Sequence, residues 1–422
     1  MNAFTRKDGV LSVDGVSLER IASEFGTPCY VYSRASIESA FRDFDEGLAG
    51  LDHLVCYAVK ANSNLAVLDT LQRLGAGFDI VSGGELARVL AAGGSAGRVI
   101  FSGVGKSEEE MRAALAAGIR CFNVESEPEL ERLDALAASM GKRAPVSLRI
   151  NPDVDARTHP YISTGMAGNK FGIPHSHALE AYRRAASLGH LEVSGIGCHI
   201  GSQILESAPL DEALERVLEL VAALKSEGIA LGHLDLGGGF GIRYRNETPI
   251  DVRAYCARLA RRLAGCGMQV MLEPGRAIVG AAGALLMRVE YLKLDKAKRF
   301  AVVDASMSEL IRPALYEAYH EIAPVRLREG AAAAYDVVGP VCESADVLGT
   351  DRTLAVREGD LLAALSAGAY GMVMSSNYNS RPRPPEVLVD SGRALLVRER
   401  ESVASLFSTE KRLADAAGEA RG

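Results

Sequence analysis

Between residues 54 and 273 the chain alternates short apolar runs with longer amphipathic stretches. The runs are Leu54–Val59, Phe78–Val81, Val99–Phe101, Cys121–Val124, Val146–Ile150, Ile196–Ile200, Leu234–Leu236 and Val270–Leu272. Each is short and often β-branched, the pattern of a strand buried on both faces. Between them, apolar residues recur three and four apart, as in Leu86-Ala-Arg-Val-Leu90 and Leu130-Glu-Arg-Leu-Asp-Ala-Leu136, and 211–225 carries the strongest helical pattern. Eight strands alternating with helices predict an α/β fold, a (β/α)8 TIM-type barrel over residues 35–280. An open doubly wound sheet is the competitor. It usually has fewer strands and a glycine-rich first turn, whereas the first turn here is Lys60-Ala-Asn-Ser-Asn64.

Past residue 283 the texture changes. Strand-like segments dominate: Leu285–Leu292, Arg299–Val303, Ala334–Val338, Leu361–Ala364, Glu386–Val389 and Ala394–Arg398, with turn residues between them. Pro28-Cys-Tyr-Val-Tyr32 is a further strand candidate ahead of the barrel. Residues 1–34 and 281–422 are therefore expected to form one discontinuous, C-terminal β-rich domain of sandwich or barrel type. The last twenty or so residues, charged and alanine-rich, suggest a surface helix or a frayed end.

Composition narrows the function. Of 422 residues, 48% are apolar and 24% charged, with a formal net charge of −7. This supports a large core and gives no electrostatic footprint for nucleic acid or anionic membrane. No signal-like leader and no apolar run long enough to span a bilayer is present, so a cytoplasmic protein without membrane partners is expected. The seven cysteines are scattered, with no C-x-x-C pair. Neither a disulfide framework nor a structural metal site is expected.

Barrel enzymes carry their chemistry where strands end at the C-terminal rim. Strand 1 runs into Tyr57-Ala-Val-Lys60. By itself Lys60 reads as a snorkelling surface lysine. If partly desolvated at the rim, its pKa is expected to fall, as a Schiff-base nucleophile requires. Strand 6 leads to His199 and Ser202, and a histidine there is either a core residue or a face for a flat ring. Strand 7 leads to Gly237-Gly238-Gly239, which suits either a tight turn or backbone amides closing on an anion. Strand 8 leads to Glu273-Pro-Gly275-Arg276. Here a carboxylate could pair with a pyridinium nitrogen and the arginine with phosphate, or the two could form a buried ion pair. Together the four features fit one ligand, pyridoxal 5'-phosphate (PLP).

The motifs extend beyond the barrel rim. They are Tyr57-Ala-Val-Lys60-Ala-Asn62, Phe78-Asp-Ile-Val-Ser-Gly-Gly-Glu85, Thr158-His-Pro-Tyr-Ile-Ser-Thr-Gly165, Gly197-Cys-His-Ile-Gly-Ser202, Leu236-Gly-Gly-Gly-Phe-Gly241 and Glu273-Pro-Gly-Arg276. In the second domain they are Ile311-Arg-Pro-Ala-Leu-Tyr316, Gly339-Pro-Val-Cys-Glu-Ser-Ala-Asp346, Gly368-Ala-Tyr-Gly371 and Ser376-Asn-Tyr-Asn-Ser-Arg-Pro-Arg-Pro384. On these the chain resembles the barrel-type, fold III PLP decarboxylases over almost its whole length. The second-domain motifs resemble the members that act on meso-2,6-diaminopimelate. Ala305-Ser-Met-Ser-Glu309 and Ala345 depart from the usual residues of that pattern, without removing a functional group.

The resemblance implies decarboxylation of meso-2,6-diaminopimelate to L-lysine and CO2, the last step of lysine biosynthesis. It implies Lys60 as the Schiff-base lysine and His199 stacked on the ring. Ser202, Gly237, Gly238, Gly239, Gly275 and Arg276 would hold the phosphate region, and Glu273 the ring nitrogen. Arg276, Arg312 and Tyr316 would bind the distal end of the substrate, with Glu343 at its ammonium. Tyr370 would touch cofactor and substrate, and Cys342 would return a proton to the α-carbon. Cys342 and Glu343 would come from the partner of a homodimer with shared sites. Arg312 suits a distal carboxylate and would repel a simple diamine precursor. Glu273 argues against a racemase, which would pair the ring nitrogen with arginine. The related substrates carboxynorspermidine, ornithine, lysine and arginine stay open, as does a non-catalytic paralogue.

Overall fold

The computed structural model describes residues 3–156, 169–295 and 298–419. The Thr158–Gly165 motif lies outside them. The chain divides into two compact units, one built on Ser33–Gly283 with Gly368–Val373, the other on Phe4–Tyr32, Ala284–Ala367 and Met374–Gly422.

In the first unit the eight strands are β1 (His53–Ala58), β2 (Gly77–Ile80), β3 (Val99–Phe101), β4 (Cys121–Val124), β5 (Ala144–Asn151), β6 (Leu191–Gly197), β7 (His233–Asp235) and β8 (Gln269–Leu272). All pair in parallel in chain order, and β8 closes on β1 through Val270–His53, Met271–Leu54 and Leu272–Val55. This is the (β/α)8 barrel. Its lumen is a packed core: Leu54, Cys56, Ile100, Cys121 and Met271 form one buried cluster. The helices start on local signals. Ser107 and Glu110 form a reciprocal capping box for Glu108–Ala117, and Ser82 caps Gly83–Ala91. The 211–225 pattern lies inside the 19-residue helix Ala208–Ser226.

β1, β2, β6 and β7 end one to three residues before the corresponding apolar runs do. β1 stops at Ala58, and Lys60 sits in the single turn Val59–Ala61. β6 stops at Gly197, which leaves His199 on the loop. Segment 368–373, placed by the sequence with the second domain, belongs to the barrel unit. Gly368 N donates to Gly280 O at 3.1 Å, and Tyr370 N to Ala61 O at 2.8 Å. The Asn62 side chain donates to Gly368 O at 3.1 Å. Short backbone contacts of this kind leave no hydropathy trace.

The second unit is sheet-rich. Its main sheet runs Val347–Leu354, Ala333–Val338, Arg299–Val303, Gly283–Leu294, Cys29–Ser33, Glu386–Asp390, Arg393–Arg398. Cys29–Ser33, which precedes the barrel, is thus an interior strand of the sheet, while Phe4–Lys7, Val10–Val13 and Val16–Ser17 form a separate three-stranded sheet. Buried Tyr30 and Tyr32 donate to Glu309 O and Glu386 Oε1, both at 2.7 Å. Strands Val347–Leu354 and Ile322–Pro324 were not foreseen, the first because Gly-Thr-Asp-Arg interrupts its apolar alternation. The C-terminal stretch forms the helix Leu413–Glu419.

Candidate functional site

The barrel rim collects the polar residues that follow β1, β2, β6, β7 and β8. Register places Ala58 opposite Asp79, so the turn carrying Lys60 leaves β1 beside the end of β2. Lys60 Nζ donates to Asp79 Oδ2 at 2.6 Å. Asp79 is fully buried, and its Oδ1 has no hydrogen-bond partner among the described residues.

The expectation that burial lowers the pKa of Lys60 is corrected here. Burial does pull it down, but the charge of Asp79, then of Glu273, and the hydrogen bond to Asp79 together outweigh it and the net shift is upward. The 2.6 Å contact with Asp79 acts against that desolvation twice, through its charge and through its hydrogen bond.

Glu273 follows β8 and Asp235 ends β7. Asn123, on β4, donates from one amide nitrogen to Asp235 Oδ2 and Glu273 Oε1, each at 3.2 Å. Both acids are buried, and burial pushes both upward. The neighbouring charges of Asp235 and Asp79 raise Glu273 further, well above the ordinary carboxylate range. Three carboxyl groups therefore converge near one ammonium, an arrangement that favours a further cation.

His199 accepts Gly238 N–H on Nδ1 at 3.1 Å. Burial first, then the charges of Arg149 and Lys60, hold it well below its usual pKa. It is a neutral imidazole, suited to lie against a flat ring. Gly237 and Gly239 have φ of +66° and +91°. A Cβ at Gly237, Gly238 or Gly239 would collide with the carbonyls of Cys198, Glu273 or Gly201. Only glycine permits this cradle. Gly275 packs close enough to Ala61 that a Cβ would lie 2.9 Å from the alanine methyl. Arg276, 6% exposed, donates to Tyr244 Oη at 2.5 Å and Ser202 Oγ at 3.1 Å. Its guanidinium lies 4.8 Å from the ring centre of Tyr370.

The sequence-predicted residues Lys60, His199, Ser202, Gly237, Gly238, Gly239, Glu273, Gly275, Arg276 and Tyr370 thus all belong to the barrel unit. Arg312, Tyr316, Cys342 and Glu343 belong to the other unit. There Arg312 is buried and donates to His320 Nε2 at 3.0 Å, while His320 Nδ1 faces Leu365 O at 2.9 Å. Tyr316 is half-buried on the same short helix, Arg312–Tyr316. Cys342 and Glu343 are exposed, and Tyr378 donates to Glu343 Oε1 at 2.5 Å.

The model of the family described as "Pyridoxal-dependent decarboxylase, pyridoxal binding domain" matches residues 34–280. The diaminopimelate decarboxylase of Pseudomonas aeruginosa is 58% identical over 98% of this chain and 100% of its own. That of Vibrio cholerae is 56% identical over 96% and 97%. The chain belongs to the diaminopimelate decarboxylases. Within that family, the Helicobacter pylori diaminopimelate decarboxylase solved with L-lysine superposes with a TM-score of 0.90 at 42% identity, covering 93% of this chain and 99% of that one.

The cofactor of these decarboxylases is pyridoxal phosphate, and the rim fits it. It offers an amine, a neutral aromatic face, an acid pair for a ring nitrogen, and a glycine cradle with a buried guanidinium beside it. Asp79, Asn123, Asp235 and Tyr244 join the site without having been among the residues expected from the motifs. Asp79 and Asp235 carried a signal, a single charge at the C-terminal end of an otherwise apolar barrel strand. Asn123 and Tyr244 carried none that one sequence displays.

Proposed function

We propose that this chain decarboxylates meso-2,6-diaminopimelate to L-lysine and CO2 with pyridoxal phosphate. The observation that carries the reading is the acid-rich rim around Lys60, where the carboxyl groups of Asp79, Asp235 and Glu273 outnumber the one ammonium and suit a cationic ring nitrogen. The full-length likeness to diaminopimelate decarboxylases supports the substrate.

When bound, the cofactor supplies an electron-accepting ring for the pair released as CO2 departs. Lys60 would hold its aldehyde carbon, and Glu273 a proton at its ring nitrogen. His199 presents a neutral face that excludes water from one side. Gly237, Gly238 and Gly239 would hold the phosphate with Ser202, Gly275 and Arg276, and Tyr370 lies against the Arg276 guanidinium. From the second unit, Arg312 and Tyr316 are assigned to the distal carboxylate and Glu343 to the distal ammonium, with Arg276 and Tyr370 also serving the substrate. Cys342 is assigned the proton returned to the α-carbon.

We further infer a homodimer in which Cys342 and Glu343 serve the partner's site. Their exposure within one chain supports this. A cytoplasmic location accords with seven unpaired cysteines. Among the described residues no helix is long and apolar enough to cross a membrane.

The test is CO2 release from meso-diaminopimelate against L-ornithine, L-lysine, L-arginine and carboxynorspermidine. At least about a hundredfold preference in kcat/KM for meso-diaminopimelate is expected, since the competitors leave buried charges unmet. Equal turnover of any competitor would overturn the substrate assignment.

A further inference from the structure

Asp235 has no assigned part in the chemistry above, yet it is among the most constrained side chains of the barrel. It ends β7, is 2% exposed, and has hydrogen-bond partners on both oxygens. Oδ1 accepts Gly237 N–H at 2.9 Å, and Oδ2 accepts from Asn123 Nδ2 at 3.2 Å. That same amide nitrogen reaches Glu273 Oε1 at 3.2 Å and Ser102 Oγ at 3.1 Å. Three oxygens around one end of the amide fix which end is nitrogen.

We propose that Asp235 is a positioning residue that acts through Glu273 to keep the ring nitrogen of the bound cofactor protonated. The proposal rests on the assignment of Glu273 to that nitrogen. A second carboxylate set behind the first, in a buried site, raises the proton affinity of whatever Glu273 holds. The amide of Asn123 binds both acids and so limits their repulsion. Because Oδ1 also fixes the Gly237 amide, one carboxylate links the ring-nitrogen end of the site to its glycine cradle.

The groups facing Glu273 set the background. They are Asp235 on β7, Asp79 on β2, and Lys60 after β1. The buried thiols of Cys56 and Cys198 also face this acid cluster. Burial pushes Cys56 well above its ordinary value and Cys198 up to about 12, so neither adds charge at neutral pH. Removing the Asp235 charge therefore changes the field at Glu273, with Asp79 left as the remaining carboxylate facing it.

The test uses holoenzyme loaded with cofactor labelled with 15N in the ring, whose NMR shift reports protonation directly. In the unaltered protein the nitrogen should stay protonated across the stable pH range. In Asp235→Asn, which keeps an acceptor for Gly237 N–H, its deprotonation midpoint should fall by about one pH unit or more. In the same variant kcat should drop about tenfold or more while KM moves less than about threefold. Asp235→Ser is the second neutral variant should the first not load, and Asp235→Glu should restore the protonated signal. An unchanged shift in a loaded neutral variant overturns the proposal. Glu273→Gln separates the two levels. If it also leaves the nitrogen protonated, the Glu273 assignment fails. If it deprotonates the nitrogen while the Asp235 variants do not, only the Asp235 proposal fails.

Discussion

Two clusters of buried charge share the rim of this barrel, and they are built on opposite terms. The β3–β5 cluster holds Lys106, Glu125, Glu129 and Arg149. Lys106 Nζ uses all three donors, on Gly103 O, Asn123 O and Glu129 Oε1, at 2.8, 2.7 and 2.6 Å. The other oxygen of Glu129 accepts Glu125 N–H at 2.9 Å. Glu125 accepts from Gly103 N, Arg149 Nη1 and Gly172 N at 2.9, 3.0 and 3.0 Å. Two cations meet two anions, and the hydrogen bonds are closed. The cluster around Lys60 instead sets one cation against Asp79, Asp235 and Glu273, with an oxygen of Asp79 unpartnered among the described residues and Glu273 driven toward its protonated form. A buried network that balances itself is scaffold. One that does not balance is completed by something the chain does not contain.

Substitutions at both clusters test that contrast. The largest effect is expected at Lys60→Ala, where CO2 release should fall by about a thousandfold or more and the absorbance of covalently held cofactor should vanish. Near-normal turnover would sink the reading of the open cluster. Lys106→Met should instead act on stability. It strands Glu129 without its partner and should cost about 3–5 kcal/mol in a denaturant titration, while each folded molecule keeps nearly normal activity. If that variant lost turnover without losing stability, the two clusters would not be distinct in kind.

A smaller effect is expected at Asp79→Asn. Asp79 raises the Lys60 pKa, and only the neutral amine attacks the cofactor aldehyde. The pH profile for cofactor uptake by the cofactor-free chain should therefore move toward lower pH, with a gain of about tenfold at neutral pH. An unmoved profile would show that Asp79 does not control the amine.

The smallest effect is expected at Glu85, at the edge of the open cluster. Burial first, then Asp79, push it up to about 7. The folded state thus binds more protons than the unfolded one between the ordinary glutamate value and about pH 7. Stability from this group is present at low pH and is lost as pH rises through that window. Glu85→Gln should melt like the parent near pH 4 and, above pH 7, be more stable by about 1–2 kcal/mol. Parallel melting curves at both pH values would contradict it.

Much of this protein was set by its sequence alone. Eight apolar runs, each buried on both faces, leave few alternatives to a closed parallel barrel, because an open sheet would expose the outer strands. Lys60, His199, the three glycines, Glu273 and Arg276 were legible as candidates because each lies at or just past the end of such a run, and strand ends are where a barrel exposes chemistry. The chain order of the strands also carried the discontinuous sheet through Cys29–Ser33. What the tertiary structure alone decided is how charges pair across strands. Lys60 and Asp79 are 19 positions apart, and Asp235 and Glu273 are 38 apart. Only ladder register brings Ala58 beside Asp79 and Gly197 beside Asp235. The direction of the Lys60 shift followed from that register and ran against the expectation drawn from desolvation. Burial is a one-body property that hydropathy can forecast. The sign of a buried charge's shift depends on its partners, and those exist only once the barrel has closed.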